Sequence, residues 1–149
     1  MAPGRVSLLD VNVLVALFFA DHVHHDIAHD WFADHRREGW ATCPLTENGL
    51  LRVACQQPSG EVTFRPADVI DHLTRLCRDK HHHVWADSVS LTDTSLFAPE
   101  FFGGHRQLTD VYLLGLAKKM GGRLATLDRA IPIRAVRGAT PELVQLIEP

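Results

Sequence analysis

An apolar run that stops at a carboxylate occurs twice in this chain and limits its possible folds. Val6–Leu9 leads directly into Asp10, and Arg123–Leu127 leads directly into Asp128. Short apolar runs are typical of buried strands, and an ionised side chain beside one needs hydrogen bonds, a counter-charge or a metal. In open α/β sheets, the carboxyl ends of the strands face the ligand-binding crevice. We therefore expect both aspartates to lie at such an edge.

Strand and helix patterns alternate along the rest of the chain. Periodicity and turn signals predict helices at Asn12–Ala20, His25–Arg37, Leu45–Gln56, Arg65–Cys77 and Thr109–Met120. They predict further strands at Trp40–Cys43 and His83–Trp85, a short edge strand at Arg134–Val136, a turn at Gln57–Gly60, a short helix near Pro99–Phe102 and a helical turn from Pro141. The remainder of Asp87–Gly104 reads as loop. This alternation predicts an α/β fold of three layers, in which helices flank a mostly parallel central sheet within one domain of residues 1–149.

Composition narrows the class of protein. Hydrophobic residues make up 46% of the 149 residues and charged residues 22%, which is typical of a globular protein. Asp10 and Asn12 interrupt the apolar N-terminal stretch, so it does not read as a signal peptide, and no other run is long enough to span a membrane. The three cysteines form no CxxC pair and the ten histidines no HExxH motif, so we expect free thiols, a cytoplasmic location and no zinc site.

Two more carboxylates stand at the starts of predicted helices. Glu47 precedes Leu50, Leu51 and Ala54 at spacings of three, four and seven residues, and Asp110 precedes Leu113, Leu114 and Ala117 in the same way. These spacings place each carboxylate at the head of its helix's core-facing stripe. Acidic residues also favour helix N-termini for structural reasons, with Thr109 as a suitable N-cap beside Asp110.

Together the four carboxylates indicate a metal site. Asp10, Glu47, Asp110 and Asp128 are all expected at one edge of the sheet, where like charges cannot all stay ionised without cations. Oxygen ligands without cysteine suit Mg²⁺ or Mn²⁺. Two further side chains could support this site by orienting a carboxylate or a water: Asn12 and Thr126. Asn12 could equally be a helix N-cap, and Thr126 an ordinary buried threonine.

Four segments, in order, resemble the PIN-domain nucleases, and most closely the VapC toxins of bacterial type II toxin–antitoxin pairs. The segments are Leu9–Leu14, Leu45–Val53, Leu108–Leu114 and Gly121–Asp128. The resemblance assigns the family's acidic quartet to Asp10, Glu47, Asp110 and Asp128, with Asn12 and Thr126 in supporting positions. It implies an endoribonuclease that depends on Mg²⁺ or Mn²⁺, with Asp10 and Asp110 as the first choice for direct ligands. In such chemistry the metal activates water, so we expect 5′-phosphate and 3′-hydroxyl ends.

The resemblance also implies partners. They are an RNA, single-stranded or in a loop, a homodimeric second copy, and a small VapB-like antitoxin that blocks the pocket. Binding of RNA phosphates requires positive side chains around the four carboxylates, although the net charge of the chain is -3. Arg52, Arg123 and Arg129 are our candidates for RNA contacts, whereas Lys118 and Lys119 are expected to lie on a solvated helix face.

Two other classes of protein stay open at this point. A catalytically inactive PIN-like module that binds RNA or protein would share the fold but would show no metal-dependent cleavage. A phosphatase of the haloacid-dehalogenase type also carries an aspartate after its first strand. That class needs a second aspartate where this chain has Asn12, which makes it the weaker alternative.

Overall fold

The computed structural model describes residues 4–56 and 64–149, and this part of the chain contains five β-strands and five α-helices. The strands are β1 (Ser7–Leu9), β2 (Trp40–Thr42), β3 (His82–Val84), β4 (Arg123–Thr126) and β5 (Val144–Leu146). The helices are α1 (Val11–Phe18), α2 (His25–His35), α3 (Pro44–Gln56), α4 (Pro66–Leu76) and α5 (Leu108–Lys119). The predicted turn at Gln57–Gly60 lies outside the described residues.

The strands form one parallel sheet in the order β3-β2-β1-β4-β5. Leu8 of β1 is in register with Ala41 on one side and Leu124 on the other. The chain builds the sheet outward from β1 to β3, then returns to the other side of β1 to form β4. Such a reversal of strand order leaves a crevice outside the carboxyl ends of the two strands, here β1 and β4.

Helices cover both faces of the sheet, so the predicted three-layer α/β architecture is confirmed. Because successive strand residues point to opposite faces, Leu8 and Leu9 enter different cores. Leu9 packs in the core formed with α1 to α4, whereas Leu8 packs in the core formed with α5 and Phe97. Within the described residues, no helix is both long and apolar enough to cross a membrane.

A pair of glycines, Gly121 and Gly122, connects α5 to β4. Gly121 has a φ of +72°, a conformation that glycine adopts without steric cost. A Cβ atom on Gly122 would lie 2.4 Å from the carbonyl oxygen of Val6, so only glycine lets β4 begin beside β1. This tight connection fixes the register that brings Asp10 and Asp128 to the same edge.

Several predicted features differ from the structure. The predicted edge strand at Arg134–Val136 is wrong, because Ile133–Ala135 forms a 3-10 turn and Val136 makes only an isolated antiparallel bridge to Phe97. The edge strand beside β4 is instead β5, which directly follows the helical turn predicted from Pro141. In the predicted helix Arg65–Cys77, the apolar pattern also predicts that Ile70 points inward with Val69 and Leu73, and for Ile70 this is wrong. Its side chain is 49% exposed, whereas Val69 and Leu73 carry the buried stripe of α4.

Candidate active site

Asp10 lies at the centre of the crevice, between the end of β1 and the start of α1. It is only 4% exposed, and it caps α1 because its Oδ1 accepts a hydrogen bond of 2.7 Å from the amide of Val11. The N-cap of this helix is therefore Asp10, not Asn12. Its second oxygen, Oδ2, accepts a 2.7 Å hydrogen bond from the hydroxyl of Thr126.

The fully buried Thr126 connects three elements of the crevice. Besides donating to Asp10, its Oγ1 accepts hydrogen bonds from the Asn12 side-chain amide at 3.3 Å and from the Asp128 backbone amide at 3.1 Å. Asn12 completes the connection, because its Oδ1 accepts from the amide of Leu127 at 3.2 Å. The structure thus places both predicted supporting residues between the ends of β1 and β4.

Three of the four predicted carboxylates influence one another electrostatically. Burial first, and then the carboxylates of Asp10 and Asp128, together raise the pKa of Asp110 from 3.8 to about 7. Burial also raises the pKa of Asp10, an effect that Thr126 and Val11 partly oppose and Asp128 reinforces. Asp128 Oδ1 accepts a 2.8 Å hydrogen bond from the amide of Ala130. The crevice therefore holds three carboxyl groups that repel one another when ionised.

Asp110 reaches this cluster from the first turn of α5, as its position in the sequence predicts. The prediction that Thr109 caps the helix is wrong, because α5 begins one residue earlier and its N-cap is Gln107. The 3-10 turn His105–Gln107 runs directly into the helix and occupies the place of a side-chain cap. Asp110 is thus free to face the crevice rather than the helix end.

Glu47 takes part in a different network, beside the end of β2. Its Oε2 accepts a 2.8 Å hydrogen bond from the hydroxyl of Thr42, and Thr42 Oγ1 lies 2.8 Å from His82 Nε2. A threonine hydroxyl has one proton, so His82 must donate to Thr42 if Thr42 donates to Glu47. Burial and the nearby Glu47 raise the pKa of the Cys77 thiol to about 11. That thiol stays protonated at neutral pH and is a poor metal ligand.

Sequence reasoning missed Thr42 and His82. A signal for Thr42 existed, since Trp40-Ala41-Thr42 and Leu124-Ala125-Thr126 both end a strand with alanine and threonine. Each threonine is the last residue of its strand, and each donates to a predicted site carboxylate. His82 has no such signal, because only the pairing of β3 with β2 brings it beside Thr42.

The basic residues predicted to contact RNA lie in different places. Arg123 stands at the amino end of β4, where it donates to Ser7 and Gln145 and lies 3.5 Å from Glu38, so its position does not support an RNA contact at the crevice. Arg129 follows Asp128 directly but pairs with Glu148 at 2.8 Å. Arg52 is exposed on α3. Lys118 and Lys119 are exposed at the end of α5, as expected.

The crevice residues fit a hard divalent cation in their chemistry. The side-chain atoms that could bind a cation are oxygens, and none of the described ion pairs involves Asp10, Asp110 or Asp128. Among residues 4–56 and 64–149, no three His, Cys, Asp or Glu side chains are arranged to hold a metal ion as they stand.

Comparison with known proteins identifies the family. Residues 7–137 match the model of the PIN domain. Ribonuclease VapC44 of Mycobacterium tuberculosis is 40% identical over 136 residues, which cover 91% of this chain and 95% of that protein. Ribonuclease VapC39 of the same organism is 39% identical over 132 residues, covering 89% and 95%, and Ribonuclease VapC38 is 40% identical over 126 residues, covering 85% and 87%. The chain therefore belongs to the PIN-domain family, as a member of its VapC type.

Proposed function

We propose that this protein is a toxin endoribonuclease that hydrolyses RNA phosphodiester bonds with Mg²⁺ or Mn²⁺. The observation that carries the proposal is the cluster of three carboxyl groups at the crevice between β1 and β4. Burial, and after it the charges of Asp10 and Asp128, raise the pKa of Asp110 to about 7, and a bound divalent cation would favour the ionised form of all three carboxyl groups. The named VapC relatives are ribonucleases, which supports RNA as the substrate.

The residues of the crevice have different proposed roles. Asp10, Asp110 and Asp128 would hold the cation, and Glu47 would complete the site from the β2 side. A divalent cation in this place polarises a phosphate and makes a nearby water more acidic. Thr126 and Asn12 keep the strand ends joined and orient Asp10, so that its carboxylate does not turn away from the crevice. Arg52 and Arg129 remain the proposed contacts for RNA phosphates near this site.

The proposal extends to partners and location. The VapC type favours a small VapB-like antitoxin as the inhibitor, a homodimer as the assembly and the cytoplasm as the place of action. The RNA is proposed to be single-stranded or looped, because exposed bases are what most specific RNA-binding proteins recognise.

A cleavage assay with matched variants tests the proposal. The purified protein is incubated with labelled single-stranded RNA and Mg²⁺ or Mn²⁺, and the ends of the products are determined. We expect metal-dependent cleavage with 5′-phosphate ends, its loss in Asp10→Asn and its retention in Asp71→Asn. Asp71 is the control because it is exposed on α4 and pairs with Arg75. Cleavage that persists in Asp10→Asn, or 2′,3′-cyclic phosphate ends, would contradict the mechanism.

The same assay separates the two other classes of protein. A binding module would retain RNA but cleave none of it in either metal. A phosphatase would release phosphate from a phosphate ester and leave the RNA intact.

A further inference from the structure

A second pocket is lined by basic side chains and lies at the amino ends of the strands, whereas Asp10 lies at their carboxyl ends. It has a volume of about 570 Å³ and lies at the amino ends of β2 and β3. Its walls combine the end of α2 with the turn before β3, and they are lined by Ala33, Arg36, Arg37, Lys80 and His81. The positive charge there contrasts with the net charge of -3 for the whole chain.

The guanidinium of Arg36 is held in place by a largely buried carboxylate. Asp79, whose side chain is 8% exposed, accepts from Arg36 at 3.1 Å, from the indole of Trp40 at 2.9 Å and from the amide of His81 at 3.2 Å. The guanidinium of Arg36 also lies over the ring of Phe32, 5.8 Å from its centre. Arginine carries five donors, so a guanidinium fixed in this way keeps others available for a ligand.

The pocket keeps an excess of positive charge after its local acids are counted. Arg36, Arg37 and Lys80 supply three cations, against one carboxylate from Asp79. The end of α2 contributes the equivalent of roughly half a negative charge. Of the acids beside this segment in the sequence, Asp34 does not line the pocket, and Glu38 faces His35 and Arg123 at 3.2 and 3.5 Å. Among the described ion pairs, none involves Arg37 or Lys80.

We propose that this basic pocket, formed by Arg36, Arg37, Lys80 and His81, binds a phosphate group. Resting on the proposed ribonuclease function, we assign that phosphate to the RNA substrate, at a point away from the cleavage site. Further positive charge is needed because Arg129 is paired with Glu148, and Arg123 lies at the amino end of β4 beside Glu38. Of the three candidates for RNA contacts, Arg52 alone takes part in none of the described ion pairs. β3 is an edge strand of three residues, about 10 Å long. An RNA strand that passes along β3 therefore extends from the pocket at the amino ends of the strands to the side of the sheet where the carboxyl ends lie.

The first part of the test uses inorganic phosphate and needs no RNA. Phosphate is titrated into the full-length protein in EDTA, and the backbone amide signals of Lys80 and His81 are followed by NMR. We expect saturable shifts at both amides, which the double variant Arg37→Gln/Lys80→Gln loses and the control Lys118→Gln keeps. Lys118 is an exposed lysine at the end of α5 and lies outside the pocket. Absence of saturable shifts in the unmodified protein would overturn the pocket itself.

The second part identifies the source of the phosphate. Binding of fluorescent single-stranded RNA in EDTA is measured between 50 and 200 mM salt, conditions chosen because phosphate contacts depend on salt over about this range. We expect the double variant to raise the Kd about tenfold and to reduce the slope of log K against log salt by about 1, whereas Lys118→Gln stays within about twofold. Unchanged RNA affinity with a lost phosphate response would overturn the assignment to RNA and favour a free phosphate compound.

The two proposals fail in different ways. If the unmodified protein cleaves no RNA with Mg²⁺ or Mn²⁺, the ribonuclease function fails, and the phosphate titration still decides the pocket. If cleavage occurs but the double variant keeps its RNA affinity and its KM, the ribonuclease function stands and the RNA role of the pocket fails.

Discussion

The substitution Asp110→Asn should stabilise the metal-free protein while removing its activity. The pKa of Asp110 is raised from 3.8 to about 7, first by burial and then by Asp10 and Asp128. A carboxyl whose pKa is raised by folding holds its proton more tightly in the folded state, so its ionisation destabilises the fold. The protonated Asp110 carboxyl contributes stability that is fully present below about pH 4 and is lost as the pH rises to about 7. Asparagine cannot ionise and escapes that loss.

The magnitude follows from the same pKa. One pKa unit corresponds to 1.36 kcal/mol, so the full effect at pH 8 is at most about 4 kcal/mol. Asp110 is only half-buried, and solvent screening reduces the expected gain to about 2 kcal/mol at pH 8. At pH 5 the folded protein is mostly protonated at this site and the unfolded chain is mostly ionised. The gain there should be about 1 kcal/mol.

Urea unfolding in EDTA at pH 5 and pH 8 measures both values. Asp71→Asn is the control, because it removes only an exposed carboxylate that pairs with Arg75 and should give no gain at either pH. The reasoning is refuted if Asp110→Asn is no more stable than the unmodified protein at pH 8. It is also refuted if the gain does not shrink between pH 8 and pH 5.

Three further substitutions test the supports of the site by urea unfolding. Thr126→Val keeps the shape of a fully buried residue but removes the 2.7 Å donor to Asp10, so it should cost about 2 kcal/mol; no loss would show that this bond does not hold the carboxylate. Gly49→Ala places a Cβ 2.5 Å from Val11 Cγ2, and the stiff valine makes a net loss of about 1–3 kcal/mol expected, despite the better helix propensity of alanine. A more stable variant would mean that α1 and α3 move apart freely. Thr42→Val breaks both hydrogen bonds of the Glu47 network and should cost about 1–2 kcal/mol, whereas an unchanged stability would show that water replaces them.

The centre of the fold could be predicted because local signals and tertiary structure agree there. β1 and β4 are buried on both faces, so their sequences are continuous apolar runs that end where the crevice begins. Gly121 and Gly122 mark the return of the chain to β1 as well. The positions of Asp10, Asp110 and Asp128 could be predicted as well, because each stands directly after a strand or in the first turn of a helix.

The edges of the fold could not be predicted, because tertiary contacts decide them. β5 is three half-buried residues long and exists through its pairing with β4, so its own pattern is weak. Ile70 adjoins the apolar stripe of α4 but borders a groove between α3, α4 and β3, which leaves it half exposed. Glu47 lies on the expected helix, yet its carboxylate bonds to Thr42 and, through it, to His82, which is 35 residues away in the sequence.

A Mn²⁺ titration followed by electron paramagnetic resonance shows whether the mutually repelling carboxylates of Asp10, Asp110 and Asp128 bind a divalent cation. We expect saturable binding by the metal-free protein that is weakened at least tenfold in Asp10→Asn or Asp128→Asn, which is about 1.4 kcal/mol, and is unchanged in Asp71→Asn. No binding by the unmodified protein, or equal weakening in Asp71→Asn, would contradict this expectation.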